Sequence, residues 1–251
     1  MVVTAVGILL ARSIWSAGSS FVIALAIFSG QLCVGWTNDL VDLESDAAQG
    51  RKNKPLTTGA LSEKLVVLST YIALAFCVAL SLFGPMGIRG GLIHLLGVGC
   101  GVAYNFFFKR NLLSPVPYVI AFVALPTSIL ISKTHVVPIW LIFIGGLFGL
   151  AAHFSNVVKD MDRDREAGDI GLPQLIGTNA SLVIAGLSLV TISIVLSVVS
   201  EQRALIPIGI TSLFLLFLLP RKYCFPFIMT IALLDVVFLV TYGSASLSRL
   251  S

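Results

Sequence analysis

Two stretches of this sequence, 118 residues apart, carry the same four residues at the same spacing: Asn38, Asp42, Asp46 and Gly50, then Asn156, Asp160, Asp164 and Gly168. Each reads N-x3-D-x3-D-x3-G. On a helix, residues four apart share a face, so the asparagine and both carboxylates of each set form one narrow stripe. Like charges stacked in this way repel, and something cationic must offset them. Two facing carboxylate stripes at the ends of apolar helices suit Mg2+ that also holds phosphate oxygens. Base follows acid at once in the first stretch: if Asp39, Asp42 and Asp46 hold metal, then Arg51, Lys52 and Lys54 can hold the anion that the metal bridges. One segment thus offers both halves of a diphosphate site. The second stretch interleaves its acids with Lys159, Arg163 and Arg165, and a third basic point, Lys109-Arg110, follows Tyr104, Asn105 and three phenylalanines. The plainer reading of each feature is a solvated loop of ion pairs or a basic anchor at a membrane boundary. Duplication of Asn, Asp, Asp and Gly at one spacing argues against it for the two acidic stretches.

The elements that must carry these residues are apolar. Of 251 residues, 57% are hydrophobic and 11% charged, with a mean hydropathy of +1.00; soluble domains carry about 25% charge, so the chain reads as an all-α integral membrane protein. Membrane-spanning helices are predicted at about 1 to 15, 18 to 37, 65 to 83, 88 to 108, 115 to 132, 136 to 155, 179 to 199, 204 to 220 and 224 to 243. No soluble domain fits between them, so residues 1–251 form one membrane domain. The first span starts inside apolar sequence without a basic leader, which makes it neither a signal peptide nor a full crossing, and a truncated N-terminal helix is expected.

Lysine and arginine divide unevenly between the two sides. Eleven (Arg51, Lys52, Lys54, Lys64, Lys109, Arg110, Lys159, Arg163, Arg165, Arg221 and Lys222) fall on the side of the acidic stretches, against Arg12, Arg89, Lys133, Arg203 and Arg249 on the other. The excess of base marks that side, and the N-terminus, as cytoplasmic. Every acidic residue except Glu201 and Asp235 lies there too. The net charge of +4 therefore reflects topology and calls for no nucleic-acid partner. Cys33, Cys77, Cys100 and Cys224 sit in apolar spans without metal-ligand spacing, as small buried side chains.

At these residues the chain resembles the UbiA superfamily of membrane prenyltransferases, whose motifs are NDxxDxxxD and DxxxD. Asn38-Asp39-x2-Asp42-x3-Asp46 fits the first and Asp160-x3-Asp164 the second. Lys54-Pro55-Leu56-x2-Gly59 is similar to the segment that follows the first motif, and Tyr104 with Lys109-Arg110 to the family's tyrosine-then-lysine stretch. The resemblance implies a nine-helix bundle around a central cavity with the acidic loops as cytoplasmic caps. It implies two Mg2+ ions on Asp42, Asp46, Asp160 and Asp164, gripping the diphosphate of an allylic polyprenyl substrate. Asn38, Asp39 and Asn156 would orient that shell, Lys54, Lys109 and Arg51 would neutralise phosphate charge, and Tyr104 would join the substrate-binding residues. The reaction implied is transfer of the prenyl group to an aromatic quinone precursor or a lipid acceptor in the membrane. Asn156, Lys159-Asp160, Gly168 and Leu172-Pro173 look more like members with naphthoate, chlorin or glycerol-phosphate acceptors than like those acting on 4-hydroxybenzoate.

Two rivals share parts of this pattern. A terpene cyclase of the same superfamily would capture the carbocation within its own chain. A secondary transporter would use the duplicated ladder for coupling ions, but such sites sit at the bilayer midplane, whereas both ladders here lie at helix ends. Mid-span Asp235 is costly in lipid and should face the interior, as a structural group or a proton acceptor. His153 could approach a cavity from three residues before Asn156, and His94 is expected to satisfy a helix contact.

Overall fold

A computed structural model of the chain describes residues 2–242 except 49, 52, 53, 167 and 169, so Lys52 and Asp169 lie outside the described residues. Among the described residues, nine apolar helices of 13 to 25 residues form the body: α1 (Val2–Ile14), α2 (Ala17–Val41), α4 (Glu63–Phe83), α5 (Gly87–Ala103), α6 (Pro115–Thr134), α7 (Ile139–Val158), α10 (Thr178–Ser200), α11 (Leu205–Leu218) and α12 (Arg221–Tyr242). Three short helices, α3 (Leu43–Ala48), α8 (Met161–Glu166) and α9 (Leu172–Ile176), lie in the connections at one end. Among the described residues seven helices are long and apolar enough to cross a membrane. The two others, α1 and α11, have 13 and 14 residues; at a rise of 1.5 Å per residue each is about 20 Å long against a hydrocarbon layer of about 30 Å.

Chain neighbours pack together along α4, α5, α6 and α7, α10 packs on both α7 and α11, and α1 closes the ring by contacting α2, α6 and α12. The core lies on the α7 side. Two thirds of the span of α7 (67%) is buried, against 22% of α4, so α7 runs inside the bundle and α4 along its outer face. Leu189, Ile192 and Leu196 of α10 and Ile228, Met229 and Ala232 of α12 pack into the same apolar cluster as Ile144, Phe148 and Phe154 of α7.

Close backbone approach fixes α6 against α7. Gly145 and Gly149 of α7 stand four residues apart on one face, and a Cβ added to Gly149 would lie 2.7 Å from both the carbonyl oxygen of Tyr118 and the Cα of Val119. With no hydrophobic drive between helices in lipid, such small-residue contacts supply the packing that holds a membrane bundle together. The contact sets the height of Tyr118 on α6 relative to His153 and Asn156 on α7.

One segment departs from the predicted helix over residues 88 to 108. Residues Tyr104–Phe108 form a π-helical turn at the end of α5, in which the Lys109 N–H donates to the Tyr104 carbonyl at 3.0 Å, five residues back. A wider turn of this kind accommodates one residue more than α-helical spacing, and such turns recur at functional sites.

Replacing Gly149 by leucine should lower the thermal unfolding midpoint of the detergent-solubilised protein, at a cost of about 1 to 3 kcal/mol from overpacking. Gly99→Leu is the control, since a Cβ added there meets nothing within 4 Å. Equal melting of the two variants would show that the α6–α7 approach is not held by this glycine.

Candidate active site

Both acidic stripes start on a long helix, pass through a turn and end on a short helix. In the first, the Asp42 N–H donates to the Asn38 carbonyl at 3.0 Å and the Asp46 N–H to the Asp42 carbonyl at 2.7 Å, so helical spacing persists across the break after Val41. Asn38, Asp42 and Asp46 therefore remain on one side, and Asn38 Nδ2 donates to Asp42 Oδ2 at 3.1 Å. In the second, the Asp164 N–H reaches the Asp160 carbonyl at 2.9 Å, but the Asp160 N–H bonds to Val157 only three residues back. That tighter turn swings Asn156 off the stripe. Its amide donates to the Tyr118 hydroxyl at 3.1 Å, while its oxygen accepts from Lys159 Nζ at 3.0 Å, and it lines the same cavity as Asp160 and Asp164. The repeated glycine has one explanation in both stretches. Gly50 and Gly168 have φ of 65° and 76°, the left-handed backbone that glycine adopts without the Cβ penalty.

Eleven of the residues singled out from the sequence line one cavity of about 560 Å³: Asn38, Asp39, Asp42, Asp46, Arg51, Lys54, Tyr104, Lys109, Asn156, Asp160 and Asp164. Cations interleave the carboxylates at its mouth. Lys109 Nζ lies 2.6 Å from Asp42 Oδ1, and Lys54 Nζ lies 2.6 Å from Asp46 Oδ2 and 3.0 Å from Asp39 Oδ1. Arg51 joins the two stretches, 3.1 Å from Asp46 Oδ1 and 3.5 Å from Asp160 Oδ1. Asp46 is almost wholly buried, with a side chain 4% exposed. Burial alone would lower the Lys54 pKa, but hydrogen bonding and attraction from Asp46 and Asp39 outweigh it and raise the pKa above the ordinary lysine value. The π turn explains how Lys109 takes part. Five residues apart on a regular helix, Tyr104 and Lys109 would point about 140° away from each other, yet both line this cavity.

Below the charged mouth the walls turn apolar, with Val98, Phe122, Leu125, Phe225 and Met229 lining the interior. Tyr118 is a wall residue that charge patterning could not reveal. Its ring packs edge-on to Tyr104, with centroids 5.0 Å apart, and tilted against His153 at 4.9 Å. His153 itself is fully buried behind the wall and bonded to Ser114 Oγ at 3.1 Å. His94 makes its helix contact through Ser81 Oγ at 2.8 Å and also lines the cavity. Gln174 of α9 is a second residue missed from the sequence: its amide donates to Asp164 Oδ2 at 2.9 Å, and its backbone carbonyl accepts from Arg165. Asp235 does face the interior, 1% exposed, beside a smaller apolar cavity of about 60 Å³ that shares Phe122, Leu125 and Met229 with the main one. Neither Asp235 oxygen has a hydrogen-bond partner among the described residues.

The donor set fits a hard cation: aspartate and asparagine side chains of both stripes line the cavity, with neither cysteine nor histidine in the stripes themselves. Among the described residues no three acidic, histidine or cysteine side chains form a ready-made metal cage. That combination suits Mg2+, which is usually held by one or two carboxylates together with phosphate oxygens and water.

The wall hydrogen bond can be measured. Tyr118→Phe removes the acceptor of a part-buried amide and should cost about 1 kcal/mol of stability, whereas the same change made after Asn156→Ala should cost little. A double-mutant cycle on thermal unfolding reads the coupling; additive losses would show that the bond does not hold the wall.

Comparison with solved structures finds close likeness in fold. A UbiA homolog from Archaeoglobus fulgidus bound to GPP and Mg2+ superposes with a TM-score of 0.74 at 18% identity, covering 98% of this chain and 94% of that one. The apo form of a UbiA homolog from Aeropyrum pernix K1 gives 0.71 at 17%, covering 98% and 95%. A digeranylgeranylglyceryl phosphate synthase gives 0.67 at 18%, covering 97% and 92%. No curated protein sequence matches the chain significantly. The sequence model of the UbiA prenyltransferase family, however, matches residues 1–241, and the chain belongs to that family.

Proposed function

We propose that the protein transfers a prenyl group from an allylic isoprenoid diphosphate to an acceptor inside the membrane, in a Mg2+-dependent reaction. One observation carries this reading above the others: carboxylates from two segments far apart in sequence share one cavity mouth with Lys54, Lys109 and Arg51, directly above an apolar interior. The fold neighbours bound to GPP or DMAPP with Mg2+ support it. Asp42, Asp46, Asp160 and Asp164 would hold the metal, which when bound supplies charge stabilisation to the departing pyrophosphate.

The chain's own groups do the rest. Breaking the allylic C–O bond leaves negative charge on pyrophosphate and a delocalised cation on the prenyl chain. Lys54, Lys109 and Arg51 would meet the first as it develops. Phe122, Leu125, Phe225 and Met229 keep water from the second until an acceptor carbon or oxygen attacks and then loses its proton. In this reading residues 1–251 form one domain whose nine apolar helices cross the membrane, α1 and α11 included, with the mouth on the cytoplasmic side as the excess of Lys and Arg indicates. The acceptor belongs to the aromatic quinone-precursor or lipid class.

Asp42→Ala or Asp160→Ala should lower turnover by about a thousandfold while the protein stays folded in the membrane, as should chelation of divalent ions. Pyrophosphate release from an allylic diphosphate measures this, and full activity in either variant would refute the assignment. Mass spectrometry of lipid extracts from a deletion strain then identifies the prenylated product, and cyclic hydrocarbon formed without acceptor would mark a cyclase instead.

A further inference from the structure

In the first acidic stretch the oxygens of Asp42 and Asp46 are already engaged. Asp42 Oδ1 is held by Lys109 at 2.6 Å and Oδ2 by Asn38 at 3.1 Å. Asp46 Oδ1 meets Arg51 at 3.1 Å and Oδ2 meets Lys54 at 2.6 Å. The second stretch differs: Asp160 uses Oδ1 for both Arg163 and Arg51, and no bond to its Oδ2 is seen among the described residues. Asp42 Oδ1 and both Asp46 oxygens are thus engaged by cations, whereas Asp160 keeps its Oδ2 open among the described residues.

Physical consequences follow for each ligand taken alone. Mg2+ demands oxygens at about 2.0 to 2.1 Å, so on Asp42 Oδ1 or on either Asp46 oxygen it meets at close range an ammonium or guanidinium group that its charge repels. Lys54, Arg51 and Lys109 are only 19%, 20% and 26% exposed. Stripped of their carboxylates, they would be left as partly buried, unpaired charges, which is costly. Diphosphate alone meets the mirror problem, since the cations it needs are engaged and the carboxylates behind them repel it. Together the ligands remove both costs, because the metal takes the carboxylates and the phosphate oxygens take the cations.

We propose that the cavity mouth is an ion-pair lock, and that divalent metal and diphosphate open it jointly as Lys109, Lys54 and Arg51 pass from carboxylate to phosphate. This rests on the reading of the cavity as a metal–diphosphate site and adds how the two ligands depend on each other. The lysines are then exchange partners rather than fixed supports of the aspartates. Linkage makes the coupling reciprocal, so each ligand raises the affinity of the other by one factor, and couplings of this kind run from about 5-fold to 150-fold.

The test uses the full chain in detergent, with Mg2+ and inorganic pyrophosphate as probes, and calorimetric affinities corrected for the metal–pyrophosphate complex formed in solution. Wild type should bind each probe weakly alone and at least about tenfold more tightly with the other present. Lys109→Met frees Asp42, so Mg2+ alone should bind several-fold more tightly than to wild type while the coupling factor shrinks. Lys54→Met should do the same through Asp46, and serves if the first variant does not fold. Weaker binding of Mg2+ alone to both variants would make the lysines supports of the metal site and overturn the exchange. Binding of both probes without coupling overturns the lock alone; no binding of the pair at millimolar concentration overturns the lock and the proposed function together.

Discussion

Repulsion between carboxylates is the constraint on which this molecule is organised. Closing the helical ring brings the ends of α2 and α7, each continued by a short acidic helix, to one cavity mouth at the edge of an apolar bundle. In water such a cluster would be screened, but here Asp46 is nearly sealed from solvent and the charges interact in a medium of lower polarity. The chain answers with Arg51 and Lys54 from the connection after the first acidic stretch and Lys109 from the end of the π turn. Arg51 matters most to architecture, since it contacts Asp46 and Asp160 at once and so ties the two halves of the site together. A mouth held by such exchangeable pairs is stable without ligand and still offers both signs of charge to one that carries both.

The packing beneath the mouth is built from contacts that leave little room for adjustment. Glycine at 145 and 149 lets α6 and α7 approach at backbone distance, which sets Tyr118 against His153 and Asn156. Gln174 and Arg165 hold the second acidic segment to α9, through Asp164 and the Gln174 carbonyl. The first segment is instead held to its surroundings mainly by Lys54, Lys109 and Arg51. The second segment thus adds the Gln174 side-chain amide and backbone carbonyl to its ion pairs, whereas the first relies mainly on Lys54, Lys109 and Arg51, a difference that the matching spacing of the two sequences conceals.

Much of this was legible in the residues themselves because charge is rare in a membrane chain. Where only one residue in nine is charged, a repeated spacing of aspartates stands out, and so do the lysines beside it. The apolar helices follow from hydropathy in the same way. Residues that escaped notice lack that contrast. Tyr118 sits in an apolar run after two prolines, and only the approach of Gly149 on another helix explains its orientation. The π turn at Tyr104–Phe108 cannot be read from period alone, because the Tyr-to-Lys spacing of five gives the wrong face on a regular helix and the right one only once the backbone widens. Asn156 kept its place in the pattern but not on the stripe, since a turn one residue tighter at Asp160 redirected it. Local hydrogen bonding settled each of these, and spacing does not encode it.

The same contrast in polarity gives the cavity its direction. Charged groups end at the mouth, and from Phe225 inward along α12 the lining passes through Met229 toward Ala232 and Val236, residues spaced for one helical face. An amphipathic ligand with a multiply charged head and a hydrocarbon tail has one favourable orientation in such a space: head among the lysines and aspartates, tail toward the bilayer interior. Reversal would bury the head's charge in hydrocarbon and expose the tail to the ion pairs, costs that act together and do not trade against each other. Orientation of such a ligand would therefore be imposed by the gradient of polarity along the bundle before any individual contact is made.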